Sequence, residues 1–172
     1  MASNKQILIN IIHELRDNPR NIAHIKKVIR NYVNEGFDIN TKYLKGKTIA
    51  HYVVKYNVAG LFIFLSKLGL NLNICDDNYD APIHTAVKNN RLWLVKELIN
   101  ASVDINIPGE YEATPLHLAV TEGYIDIVKL LIKSKADISL VDERNLTVLD
   151  YAIDEKNQQI IDLLKNIKVR KE

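Results

Sequence analysis

The sequence predicts an all-α solenoid of stacked helix-turn-helix units. Three observations predict it: short motifs recur at a fixed period, each opens with a helix-start signal, and apolar residues follow at helical spacing. His51, His84 and His117 stand 33 residues apart, within Thr48-Ile49-Ala50-His51, Ala81-Pro82-Ile83-His84 and Thr114-Pro115-Leu116-His117. Thr147-Val148-Leu149-Asp150 continues the phase. A second block keeps step: Gly36-Phe37-Asp38-Ile39-Asn40, Gly69-Leu70-Asn71-Leu72-Asn73, Ser102-Val103-Asp104-Ile105-Asn106 and Lys135-Ala136-Asp137-Ile138-Ser139. The chain has 172 residues, 47% of them hydrophobic, enough to bury the core of one short array.

The elements follow in order, as a single domain over 1–172. The first unit, 1–40, reads as an amino-terminal cap. Ser3-Asn4-Lys5-Gln6 has the form of a capping box, and Ile7, Leu8, Ile11, Ile12 and Leu15 put an apolar stripe on a first helix. Asn18-Pro19 is expected to start the second, with Ile22, Ile25, Val28, Ile29, Tyr32 and Val33 inward. Internal units span 41–73, 74–106 and 107–139. In the last of these Thr114 is the N-cap and Pro115 the first helical residue, where its missing amide hydrogen costs nothing. Gly123 then breaks the chain, and Ile125, Ile127, Val128, Leu131 and Ile132 form the apolar face of a second helix. Such a hairpin cannot bury both faces without neighbours. The unit 140–172 reads as a carboxyl-terminal cap, because Gln158 stands where Leu92 and Ile125 stand, and Lys165 where Ile99 and Ile132 stand.

These motifs resemble the ankyrin repeat, and Thr114 to Asp137 is close to its usual pattern. The resemblance implies an ankyrin-repeat solenoid, its units joined by turns or short β-hairpin loops, that binds a protein partner through turn tips and a concave helix surface. It also implies that His51 and His117 hydrogen-bond Thr48 and Thr114 and the adjoining loops. Ala81 lacks the hydroxyl, so His84 must be satisfied otherwise. Tyr79, Glu112 and Asn145 occupy a turn position where the family prefers glycine, so those turns either adopt another conformation or carry strain.

Chemistry is sparse. With 23 Lys plus Arg against 21 Asp plus Glu, the formal charge of +2 gives no protein-wide field for a phosphate backbone, so no nucleic-acid partner is expected. The three histidines sit on successive helices ~8–10 Å apart and cannot converge on one metal. No nucleophile elbow, phosphate loop, His-Glu-x-x-His or Cys-x-x-Cys occurs, and no cofactor, metal or enzymatic activity is expected. Cys75, the one cysteine, is placed in an exposed turn. Asp76-Asp77, Glu110-Glu112 and Asp154-Glu155 read as solvated charges. The longest apolar run, Val58 to Leu65, is far short of the ~20 residues that cross a bilayer, so neither membrane span nor signal peptide is expected.

Function is therefore sought on the surface. Carried over by phase from the resemblance, the partner-binding row comprises Lys42, Lys45, Lys47 and Tyr56, then Asp77, Asn78, Asp80 and Lys88, then Glu110, Tyr111 and Glu122, and finally Arg144. It is basic in the second unit and acidic from the third. Ile63 and Trp93, apolar where other units carry polar groups or glycine, form an expected accessory contact on the convex side, with Gly60 leaving room for the indole. The protein is expected to be a cytoplasmic monomer. Ile, Asn and Lys number 23, 18 and 17, a bias that suggests an AT-rich genome and a host-directed effector of an intracellular bacterium or large DNA virus, secreted into a host cell. The basic end from Lys165 to Lys171 resembles some secretion tails. A homo-oligomeric structural role is the alternative, and an enzyme or ligand-processing protein a more distant one.

Overall fold

The computed structural model describes residues 3–58 and 60–169, with side chains described as far as Ile167; of the basic carboxyl end, Arg170 and Lys171 lie outside the described residues. Its α-helices fall into five consecutive pairs: α1 (Asn4–Asp17) and α2 (Ile22–Asn34), α3 (Ile49–Lys55) and α4 (Phe62–Lys67), α5 (Pro82–Lys88) and α6 (Leu92–Asn100), α7 (Pro115–Thr121) and α8 (Ile125–Lys133), α9 (Val148–Asp154) and α10 (Gln158–Val169). The odd-numbered helices form an inner row, each packed on the next, while α4, α6, α8 and α10 form an outer row. One apolar cluster runs the length of the stack, from Leu8 and Ile11 to Ile160 and Leu164.

The helix starts are built as the motifs dictate. The Nδ1 atoms of His51 and His117 accept from the amides of Thr48 and Thr114 at 3.1 and 3.2 Å, while Nε2 faces the next unit's Asp80 carbonyl at 2.9 Å and Leu146 carbonyl at 3.2 Å. In the fourth copy Asp150 Oδ2 takes the histidine's place, accepting from the Thr147 amide at 2.7 Å. The second block forms a ladder between units. The side-chain oxygens of Asn40, Asn73 and Asn106 accept from the amides of Asn71, Asp104 and Asp137, at 2.8, 2.9 and 2.9 Å.

Two starts differ from expectation. Ser3 Oγ accepts from the Gln6 amide at 3.3 Å, but the Gln6 side chain reaches forward to Asn10, so only half of the capping box forms. The second helix begins at Ile22 and not at Asn18-Pro19. Asn21 is its cap, accepting from the His24 amide at 3.2 Å, and Pro19 and Arg20 form the turn between α1 and α2.

The tips come in two designs. Asp76 and Asp142, two periods apart, each bury a carboxylate at the root of a turn. Asp76 Oδ1 accepts from the amides of Asn78 and Asp80, and Asp142 Oδ1 from those of Arg144 and Leu146. Tyr43 and Gly109 hold the same register position, and there the tips are 3-10 turns, Leu44–Gly46 and Glu110–Glu112. Without the carboxylate two successive residues turn left-handed, Lys45 and Gly46 in one tip, Tyr111 and Glu112 in the other; with it only Tyr79 or Asn145 does. Tyr79, Glu112 and Asn145 thus adopt the glycine-like conformation, at φ of 61°, 57° and 58°. Among the described residues the β-structure is one isolated bridge, Val141 with Thr147, so turns rather than hairpin strands join the units.

Candidate partner-binding surface

At each tip one backbone hydrogen bond closes the loop, and between tips a second one links neighbours. The Asp77 amide donates to the Lys45 carbonyl at 3.0 Å, and the Glu143 amide to the Tyr111 carbonyl at 3.1 Å. No equivalent bond joins the third tip to the fourth among the described residues. There a groove of about 570 Å³ opens, lined by Asp77, Asn78, Tyr79, Glu110, Tyr111 and Glu112, with Glu143 at its far side. Tyr79 and Tyr111 are 69% and 62% exposed, so two rings stand among four carboxylates. Beside it, on the inner-helix side, a cleft of about 240 Å³ is lined by Asp80, Lys88, Glu110, Tyr111, Leu118 and Tyr151.

Six of the residues expected to bind a partner are thereby brought together: Asp77, Asn78, Asp80, Lys88, Glu110 and Tyr111, the last two bordering both cavities. Others serve the fold. Lys47 Nζ pairs with Asp76 Oδ2 at 2.7 Å, and Lys42 Nζ donates to the Cys75 carbonyl at 3.0 Å. Asp80 is buried and held by Lys88 at 2.8 Å, so its carboxylate is not an open contact. The Arg144 guanidinium donates to Asp142 Oδ2 at 3.2 Å and to the Tyr151 hydroxyl at 2.6 Å, and that hydroxyl donates to Asp142 at 2.7 Å. Tyr56 is half-buried against Tyr52, under Lys55. Lys45 and Glu122 are exposed.

Sequence reasoning missed the two buried aspartates. Asp76 reads in the sequence as a solvated charge, yet its side chain is fully buried, and Lys47 and the turn amides hold its carboxyl below the usual range despite burial. For Asp142 the same kind of donor set, Tyr151 first, brings the value down to about 2. The signal was in the spacing, an aspartate at the same phase in alternate units. Cys75 is half-buried and not exposed; burial pushes its thiol up, away from nucleophilic reactivity.

Burial lowers the pKa of all three repeat histidines, His84 to about 4. His84 Nδ1 accepts from the Ala81 amide at 3.0 Å, but its buried Nε2 has no hydrogen-bond partner. Gly109 lies against it, where a Cβ would come within 2.8 Å of Nε2. No group of three or more metal-ligating side chains converges among the described residues. Trp93 and Ile63 are 37% and 49% exposed on the outer row. Gly60 does not make room for the indole, since a Cβ there would meet nothing within 4 Å; it serves a left-handed turn at φ +73° and donates its amide to Glu97 at 2.7 Å.

No helix among the described residues is long and apolar enough to cross a membrane. No curated protein matches the chain. The family model for ankyrin repeats, in three copies, matches residues 20–109 and 94–172. With the repeated Thr-x-x-His starts, the asparagine ladder and the two stacked rows of helices, this match shows that the chain belongs to the ankyrin repeat family, whose repeats are a protein–protein interaction module.

Proposed function

We propose that this protein is a non-enzymatic binding module whose partner meets the tips and inner-helix surface of the third to fifth units. The observation that carries the reading is Tyr111, an exposed aromatic that borders both the cleft and the acidic groove. Exposed tyrosines bury a large apolar ring at low entropic cost, and such anchors concentrate binding energy. Asp77, Glu110, Glu112 and Glu143 ask for a basic partner surface there, whereas Lys45 favours an acidic one at the second unit. The first and last helix pairs act as caps, and the protein works as a monomer in a cytoplasm. The Ile, Asn and Lys bias favours a host-directed effector, secreted into a host cell, over a housekeeping role.

The test is capture from host and native lysates, followed by surface-plasmon kinetics at two salt concentrations. Tyr111→Ala is expected to speed dissociation, while Lys45→Glu slows association and weakens its salt dependence. Rates equal to those of the parent for both variants would place the site elsewhere.

A further inference from the structure

We propose that the groove between α6 and α8 is a second docking site, and that it takes an acidic amphipathic helix from a partner protein. The groove, about 580 Å³, is lined by Leu92, Ile99 and Leu130 together with Lys96, Lys129 and Lys133. Leu92, Lys96 and Ile99 follow one another at i, i+4 and i+7 and form one stripe of α6; on α8, Lys129 and Leu130 each lie within one turn of Lys133, at i+4 and i+3. Asp126 is the one acid among its lining residues.

Two features distinguish this face from the tips. Lys42, Lys47 and Lys88 are taken up by carbonyl and carboxylate partners, whereas Lys96, Lys129 and Lys133 have no ion pair among the described residues. The tips of the third to fifth units are acidic, while α2 of the same outer side carries Lys26, Lys27 and Arg30 without any acid. The net charge of +2 therefore conceals an uneven distribution, acidic tips in the third to fifth units against a lysine-rich α6–α8 groove, and the groove selects an anionic partner by complementarity.

Pattern decides which anionic partner. Leu92, Lys96 and Ile99 alternate apolar and basic groups at i, i+4 and i+7 along α6, a spacing that a partner helix reproduces and the unpatterned boundary of a bilayer does not. A helix laying Leu-type side chains at i, i+4 and i+7 into this channel puts its flanking carboxylates on the lysines. With nine residues each, α6 and α8 give a channel of about 13 Å, room for two to three turns. The outer row of a second copy is not the occupant, because α2, α4 and α8 each carry more bases than acids.

The probe is a labelled, helix-forming peptide of about 14 residues, with Leu at i, i+4 and i+7 and Glu beside them. Its binding to the full chain is followed by fluorescence anisotropy at low and high salt, against a scrambled peptide of equal composition. Saturable, salt-sensitive binding of the ordered peptide alone is expected. Lys96→Glu with Lys133→Glu should weaken it by about tenfold or more, Leu92→Asp should weaken it at both salt concentrations, and Tyr111→Ala should leave it unchanged, which separates this site from the tips. Equal binding of the scrambled peptide, or no effect of the double charge reversal, overturns the proposal. So does sedimentation with phosphatidylserine-containing vesicles that depends on Lys96 and Lys133 while the peptide fails to bind, since that outcome makes this a lipid-facing surface.

Discussion

Replacing Asp142 by Asn tests whether a buried carboxylate holds the last tip. The amide oxygen of Asn keeps an acceptor for the backbone of Arg144 and Leu146, but its NH₂ faces the Arg144 guanidinium, which has nothing to accept with. The magnitude follows from linkage. A carboxyl lowered from 3.8 to about 2 is stabilised, in its ionised form, by about 2 kcal/mol in the folded state. Because the folded value is the depressed one, that contribution is complete well above pH 4 and is lost as pH falls toward 2; by pH 3 about half of it is gone. Urea unfolding followed by circular dichroism, at pH 7, 5 and 3, is the assay. The parent should exceed Asp142→Asn by about 2 kcal/mol at pH 7 and 5, and the gap should narrow by about 1 kcal/mol at pH 3. A gap below about 0.5 kcal/mol at pH 7, as for an exposed ion pair, or one that does not change between pH 5 and 3, refutes the reasoning.

Three further predictions concern glycines and ends. Gly109→Ala should destabilise by about 1–3 kcal/mol through overpacking, because its φ is ordinary and the obstacle is the His84 imidazole; a melting temperature equal to the parent's would show that His84 moves aside freely. Gly60→Ala should cost about 1 kcal/mol through its left-handed backbone alone, so adding a larger side chain such as Gln should cost no more than Ala does. Gln158→Leu with Lys165→Ile creates an apolar end like the interior of the array, and should drive self-association in analytical ultracentrifugation; a double variant that stays monomeric at high concentration counts against the cap assignment.

The period of 33 residues made the helix pairs legible, because each start depends on groups within three residues of one another. Thr114, Pro115 and His117 cap their own helix, and a local rule suffices to find it. The misread second helix shows the limit of that rule. Asn18-Pro19 and Asn21 are both acceptable starts in sequence, and only the path of the turn leaves the Asn21 side chain facing the His24 amide.

The tips were less legible because their partners lie one unit away. Lys47 meets Asp76 across 29 residues, and Lys42 meets the Cys75 carbonyl across 33. Residues that look like a basic cluster at one tip are thereby the cement between two units, and the charge gradient read along the sequence is partly cancelled inside the fold. What survives is what the fold does not use. The groove carboxylates lie where, among the described residues, the third and fourth tips lack the backbone bond that joins the other neighbours, and behind them His84 Nε2, near the Ile107 and Ala113 backbone, makes no hydrogen bond like those of His51 and His117. Ala81 and Gly109 are the sequence marks of that seam: one omits the hydroxyl found at the other helix starts, and the other leaves no side chain between tip and imidazole. A solenoid's stability is a sum of unit and interface contributions, so the junction that lacks the tip-to-tip backbone bond among the described residues is more able to open than its neighbours, and it coincides with the most exposed tyrosines of the chain. On the proposed reading, a partner bound there would supply from outside the contacts that the other junctions make within the array.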